Sequence, residues 1–196
     1  MAATDHELIT RAQAGDTMAF GILAQRYQTA VFNVAYRLMG RRRDAEDATQ
    51  EAFLRAYRAL ARFDSKRPFA PWIKRITTNY CLNQLGSMQT KTQVVVTDTK
   101  HEADDHTPDM DNWANESPTP EQSMEKQQQD ALLRSAILAL SPNYRAAIEL
   151  RHFQELSYEE MAAVLKRPLS SVKSDLFRAR KQLAIMLKGE KLSAIS

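Results

Sequence analysis

Residues 156–187, LSYEEMAAVLKRPLSSVKSDLFRARKQLAIML, restrict the folds open to this chain more than any other stretch. They read as two helices joined by a four-residue turn, the second of them basic, which is the pattern of a helix-turn-helix. Ser157 followed three residues later by Glu160 is a capping box, in which each side chain satisfies a backbone N–H at the helix start. In the second helix, stepping 100° per residue gathers Val172, Leu176, Ala179 and Leu183 on one narrow apolar face. The same wheel puts Lys173, Ser174, Phe177, Arg178 and Lys181 opposite, with Ser171 beside them. Cations, short hydroxyls and one aromatic ring suit a major groove, where they meet phosphates, guanine edges and thymine methyls. Phe177 carries two open readings, contact with DNA or packing against a neighbouring helix. Asp175 interrupts the basic run at the edge of the core face.

The charge distribution agrees with a nucleic-acid partner. The 196 residues carry 27 basic and 24 acidic side chains, +3 overall, but residues 1–88 are net +5, 89–123 net −6 and 124–196 net +4. Two basic lobes joined by an acidic strap are thus expected. The single cysteine, Cys81, excludes an intrachain disulfide, and no CxxC or His/Cys spacing offers a metal site. No apolar run approaches 18 residues and the N-terminus lacks the pattern of a signal peptide, so the chain is expected to be intracellular. The scattered glycines form no phosphate loop, and no nucleophile-elbow or zinc-protease motif is present. Glu46, Asp47 and Glu51 are read as solvated helix-dipole partners, not as an acid/base pair, so no catalytic residue and no cofactor are expected.

The N-terminal lobe reads as helices throughout. Thr4 and Glu7 predict a capped first helix ending near Gly15, and Asp16 predicts the cap of a long second one with Phe20, Leu23, Tyr27, Val31, Val34 and Leu38 inside, stopped by Gly40. Asp44 is the expected cap of a third helix, whose Ala48, Ala52, Ala56 and Ala59/Leu60 permit close helix packing. A fourth helix is expected from about Trp72 to Leu85 after the loop DSKRPFAP.

DAEDATQEAFLRAYRAL, the Phe-containing loop and PWIKRITTNYCLNQL together resemble region 2 of bacterial RNA polymerase sigma factors of the extracytoplasmic-function group, and the C-terminal helix-turn-helix resembles their region 4. The resemblance implies an all-α chain of two helical domains joined by a flexible acidic linker: region 2 over 1–88, the linker over 89–123, region 4 over 124–188 and a tail over 189–196. It implies an alternative sigma factor that binds core RNA polymerase, reads −35 and −10 promoter elements and assists melting, without catalysing a reaction itself. Core docking falls by resemblance on Asp44, Asp47, Gln50, Glu51, Phe53 and Arg55 of the third helix; the competing reading is a solvated face.

Reading an unpaired base needs a pocket that combines apolar contact with edge hydrogen bonds over a cationic floor. By resemblance Phe63, Ile76 and Asn79 form it with Ala59 on its wall, Lys66, Arg67, Lys74 and Arg75 steer the backbone, and Asn83 adds a contact. Trp72 is either a melting wedge or a seal on the lobe. Pro68 and Pro71 flank Phe69 where many relatives are more polar, so the loop shape is expected to differ. On the −35 side Arg151, Tyr158 and Glu159 match positions near phosphates and bases, and Lys173, Ser174, Phe177 and Arg178 match the recognition-helix readers. In the C-terminal lobe a helix with Leu132, Ile137 and Leu140 precedes Ser141-Pro142, a cap with a first-turn proline. Leu169-Ser170 stands where relatives commonly carry glycine, with Ser170 the expected cap.

The strap is acid- and proline-rich without helical period, which fits either a spacer or a peptide that lies among basic polymerase walls, with Val94, Val95, Val96 and Trp113 as anchors. The family also implies an anti-sigma partner, often membrane-anchored, and hence a cytoplasmic chain held at the inner membrane face; no small-molecule substrate is implied. Two other classes stand against this reading: a helix-turn-helix regulator that binds duplex without polymerase, and an anti-sigma-type protein-interaction module.

Overall fold

Short polar side chains start the first two helices, and the backbone follows them. In the computed structural model, which describes residues 3–92 and 120–193, Thr4 opens α1 (Asp5–Gln13) with both halves of the capping box: Glu7 N–H donates to Thr4 Oγ1 at 3.3 Å and Thr4 N–H to Glu7 Oε2 at 2.8 Å. Gly15 takes φ +101° in the turn, and Asp16 then caps α2 (Thr17–Met39) by accepting from Ala19 N–H at 3.1 Å. Gly40 closes α2 in the left-handed conformation, φ +84°. Leu138, far along the chain, also packs there: a Cβ on residue 40 would lie 2.8 Å from Leu138 Cδ2. Gly40→Ala is therefore expected to cost about 1–2 kcal/mol in urea unfolding, from the positive φ alone if Leu138 can swing aside.

The third helix corrects an expectation. α3 (Arg42–Ala59) begins two residues before Asp44, with Arg41 in the cap position and no side-chain cap bond. Asp44 lies in the first turn, where its charge favours the helix dipole without capping. Ala45, Ala48, Ala52 and Ala56 are buried, so α3 approaches its neighbours α2 and α4 closely. A 3-10 turn (Leu60–Arg62) follows, and α4 (Phe69–Thr92) starts three residues before Trp72 and overruns Leu85. Phe69, expected in the loop, is 1% exposed and packs tilted against Tyr27 and Trp72 and edge-on against Phe63, at centroid distances of 5.3, 5.5 and 6.0 Å.

In the C-terminal half α5 (Pro120–Ala139) is followed by α6 (Pro142–Ile148), which has Pro142 in its first turn, and a π turn (Glu149–Phe153). Ile137 and Leu140 are buried, whereas Leu132 is exposed. α7 (Tyr158–Leu165) carries the expected Ser157/Glu160 capping box. The turn into α8 (Leu169–Ser193) is Lys166–Arg167–Pro168, one residue shorter than expected. Lys166 takes the left-handed position at φ 52°, the place glycine would fill, and Ser170 lies inside α8 and is not its cap. Arg167 pairs with Asp175, which explains how a carboxylate 8% exposed is kept among cations. The helices also shorten the strap: 89–92 belong to α4, 120–123 to α5, and the tail is helical to Ser193. Val94, Val95, Val96 and Trp113 lie outside the described residues.

The two halves pack on each other. Glu149, its side chain 1% exposed, receives Arg37 in a bidentate pair, Nε to Oε2 at 2.6 Å and Nη2 to Oε1 at 3.1 Å. Gln154 Nε2 donates both to Glu149 Oε1 at 3.2 Å and to Thr78 Oγ1 on α4 at 3.3 Å. The Arg37 guanidinium also covers the Phe153 ring at 4.2 Å. Buried Arg145 donates to the carbonyls of Leu138 and Leu140 at 2.6 and 3.2 Å and to that of Leu38 at the end of α2, where a cation complements the helix dipole. Ala146 and Leu165 complete the apolar cluster of Val34, Ala35, Leu38, Ala45, Ala48 and Cys81, so one apolar cluster takes residues from both halves.

Candidate nucleic-acid and polymerase interfaces

The two faces of α8 divide in burial as the apolar repeat implies. Val172, Leu176 and Ala179 are buried and Leu183 half-buried, while Lys173, Ser174, Phe177, Arg178 and Lys181 are exposed and Ser171 half-buried. Phe177 is 70% exposed. That removes the second reading of this ring, since no described helix covers it. Tyr158 at the start of α7 lies between two cations, with the Arg151 guanidinium 5.3 Å and Lys173 Nζ 5.6 Å from its ring centroid. Arg151 is held by donating Nη1–H to Leu156 O at 2.8 Å, and Glu159, next in sequence to Tyr158, is exposed. The turn, α7 and α8 thus converge on one cationic edge. His152 and Arg180 extend it: Arg180 Nε–H donates to His152 Nε2 at 3.3 Å. Burial, then Arg180 and Arg151, hold the His152 imidazole below its ordinary pKa, so it remains a neutral acceptor there.

The residues assigned to an unpaired base differ in burial. Phe63 is only 8% exposed, its ring 4.4 Å from that of Trp72, so it offers little free face. Trp72 is half-buried against Phe63 and Phe69. Ile76 packs on the same cluster, and Ala59, Lys74 and Asn79 are half-buried. Arg75 and Asn83 are exposed on α4, and Lys66 and Arg67 on the loop, where Lys66 N–H donates to Asp64 Oδ1 at 3.0 Å. Replacing Phe63 would open a cavity in the core as well as alter a pocket, so Asn79 is the cleaner probe of base contact.

On α3 the assigned docking residues fall on adjoining stripes. Asp44, Asp47, Glu51 and Arg55 share one, with Glu51 and Arg55 paired at 2.8 Å and the Arg55 guanidinium 4.7 Å from the Tyr80 ring of α4. Gln50 and Phe53 face the other way, into an open groove of about 720 Å³ between α2 and α3 that Phe20, Gly21, Ala24, Gln28, Leu54 and Tyr57 also line. The inward-facing alanines hid this second stripe from sequence reading. Its signal is the spacing of Gln50, Phe53, Leu54 and Tyr57, an i, i+3, i+4, i+7 set with exposed Leu54 and Tyr57 in it.

Among the described residues no cluster of His, Cys, Asp and Glu could hold a metal ion, and no helix is long and apolar enough to cross a membrane.

Family models match the chain twice: Sigma-70 region 2 over residues 23–90 and Sigma-70 region 4 over 130–183. The chain is 33% identical over 182 residues to the RNA polymerase sigma-H factor of Pseudomonas aeruginosa, covering 91% of each protein. It is 34% identical over 180 residues to the ECF RNA polymerase sigma-E factor of Escherichia coli, covering 92% of each. Its fold is similar to CnrH as solved in complex with the cytosolic domain of CnrY (TM-score 0.59, 24% identity, 94% of this chain and 97% of that one). It is also similar to the sigma factor RpoE from Bartonella quintana as solved in complex with the anti-sigma factor NepR (TM-score 0.58, 22% identity, 86% and 96%). Two matched regions in order, and relatives alike over nine-tenths of the chain, join the helix-turn-helix and the α3–α4 surface in one conclusion: the chain belongs to the sigma-70 family, in the extracytoplasmic-function group of RNA polymerase sigma factors.

Proposed function

We propose that this chain brings core RNA polymerase to a restricted set of promoters by reading a −35 element as duplex and a −10 element as separated strand, and that it catalyses no reaction itself. The observation that carries this reading is the pairing of two unlike surfaces in one chain. One is a rigid recognition helix with an uncovered phenylalanine among cations; the other is a half-buried polar rim over an aromatic floor. Residues 1–88 take the polymerase and the −10 strand, 124–188 take the −35 duplex, 89–123 connect them and 189–196 form the tail. Polymerase docks on α3 through Asp44, Asp47, Gln50, Glu51, Phe53 and Arg55, and the α2–α3 groove beside Gln50 and Phe53 receives apolar side chains of the same partner. Arg178, Lys173, Ser174 and Phe177 read the −35 bases from α8, with Ser171, Lys181, Arg151, Tyr158 and Glu159 on the flanking backbone and bases. Asn79 and Ile76 hold the unpaired base against Ala59 and Phe63, while Lys66, Arg67, Lys74, Arg75 and Asn83 follow the strand. The family's regulation extends the proposal to an anti-sigma partner that keeps the chain at the inner face of the cytoplasmic membrane.

In vitro transcription from a genomic fragment pool, with bacterial core polymerase alone and with this chain added, tests the reading by mapping starts. Starts that need the chain and share spaced −35 and −10 sequences are expected; their absence with a folded preparation would overturn it. Arg178→Ala is expected to lose about 1–3 kcal/mol of −35 duplex affinity and relax selection at one base pair. Asn79→Ala is expected to leave duplex binding intact and to slow strand opening, read as permanganate reactivity of −10 thymines.

A further inference from the structure

The helix α1 precedes the residues matched to region 2, and its apolar face accounts for only part of what it touches. Leu8, Ile9 and Ala12 enter the core. The polar side reaches elsewhere. Gln13 Nε2 donates one hydrogen to Leu60 O at 2.9 Å and the other to Phe63 O at 2.8 Å, so both hydrogens of its amide are spent. These two carbonyls stand at the two ends of the 3-10 turn that leads from Ala59 to Phe63, itself closed by Phe63 N–H to Leu60 O at 2.9 Å. On the far side of Phe63, His6 Nδ1–H donates to Ser65 O at 3.2 Å. α1 is a firm base for these bonds: Asp5 accepts from Arg26 and Tyr27 of α2, and Arg11 binds Asp16 at 2.7 Å.

We propose that Gln13 is a positioning residue for base selection at the −10 element, holding with one amide both ends of the turn that sets Ala59 and Phe63 beside the bound base. The inference rests on the −10 reading above. A backbone turn of three residues has few internal bonds to define it, so an outside donor that fixes both ends restricts the wall and floor of the pocket together. Gln13 touches no base. Its effect passes through the turn, with His6 holding the loop that follows.

The test uses the full chain with core polymerase and a fluorescein-labelled single strand spanning the −10 segment of a mapped promoter, in four versions that differ at the unpaired base. The quantity read is the ratio of affinities between preferred and disfavoured bases. Loss of folded protein lowers all four affinities equally and leaves that ratio unchanged, so a purely structural role would not move it. Gln13→Met, which keeps length and helix propensity but has no donor, is expected to compress the ratio roughly ten-fold, the scale of two such hydrogen bonds. Gln13→Lys, which restores a donor, is expected to recover part of it, and −35 duplex binding is expected to be unchanged in both. An unaltered ratio in Gln13→Met, with wild-type discrimination present, would overturn this inference and leave the −10 reading standing. A wild-type chain that initiates from its promoters yet shows no discrimination among the four strands would overturn both.

Discussion

Arg37→Ala is expected to loosen the seat of one lobe on the other and to lower the unfolding free energy by about 2–4 kcal/mol. The full penalty for orphaning a buried charge is about 3–5 kcal/mol, reduced here because water reaches Arg37, whose side chain is 26% exposed. Without it the Glu149 carboxylate keeps only the Gln154 amide in a cluster of apolar side chains. Replacing both partners, Arg37→Met with Glu149→Leu, is expected to be close to neutral, since neither charge is then left without its partner. Cys81 reports the same event chemically. Burial, and secondarily the Glu149 carboxylate, push its thiol up to about 12, so the native chain is expected to react very slowly with iodoacetamide at pH 8. Arg37→Ala is expected to raise the alkylation rate by roughly ten-fold or more, because each ~1.4 kcal/mol of lost closure multiplies the open population about ten times. Unchanged alkylation and unchanged urea midpoint in Arg37→Ala would show that the pair does not hold the lobes.

The second large effect separates two phenylalanines. Phe69→Ala is expected to cost about 3–5 kcal/mol, because the ring is 1% exposed and packs against Tyr27, Phe63 and Trp72, leaving a cavity those rings cannot all fill. Phe177→Ala is expected to change stability by less than about 0.5 kcal/mol, since 70% of that residue already faces solvent. It is expected to weaken −35 duplex binding instead. Urea unfolding and a duplex titration on both variants give opposite patterns if the placement is right. A stable Phe69→Ala chain would mean that the aromatic cluster is not part of the core.

Much of the secondary structure was legible because its determinants are local. Thr4 with Glu7, Asp16, and Ser157 with Glu160 cap the helices they precede, and each acts within one turn. Asp44 misled for the same reason, since capping and dipole preference place the same residue types two or three positions apart. The pre-recognition turn misled in another way: Lys166 carries the left-handed conformation, which a lysine side chain does not advertise.

The apolar repeat determined by itself that α8 turns Val172, Leu176 and Ala179 inward, and so that Lys173, Phe177 and Arg178 point out. A helix has one period, and filling one face empties the other. Tertiary structure alone decided that Phe69 is core and Phe63 nearly buried beside it, that Gln50 and Phe53 open onto a groove with α2, and that Gln13 grips the turn after α3. It alone brought Arg37 to Glu149 across 112 residues. These outcomes depend on which faces meet after the chain has folded back. A half-buried arginine and a buried glutamate look like any two surface charges until the apolar groups around them have excluded water.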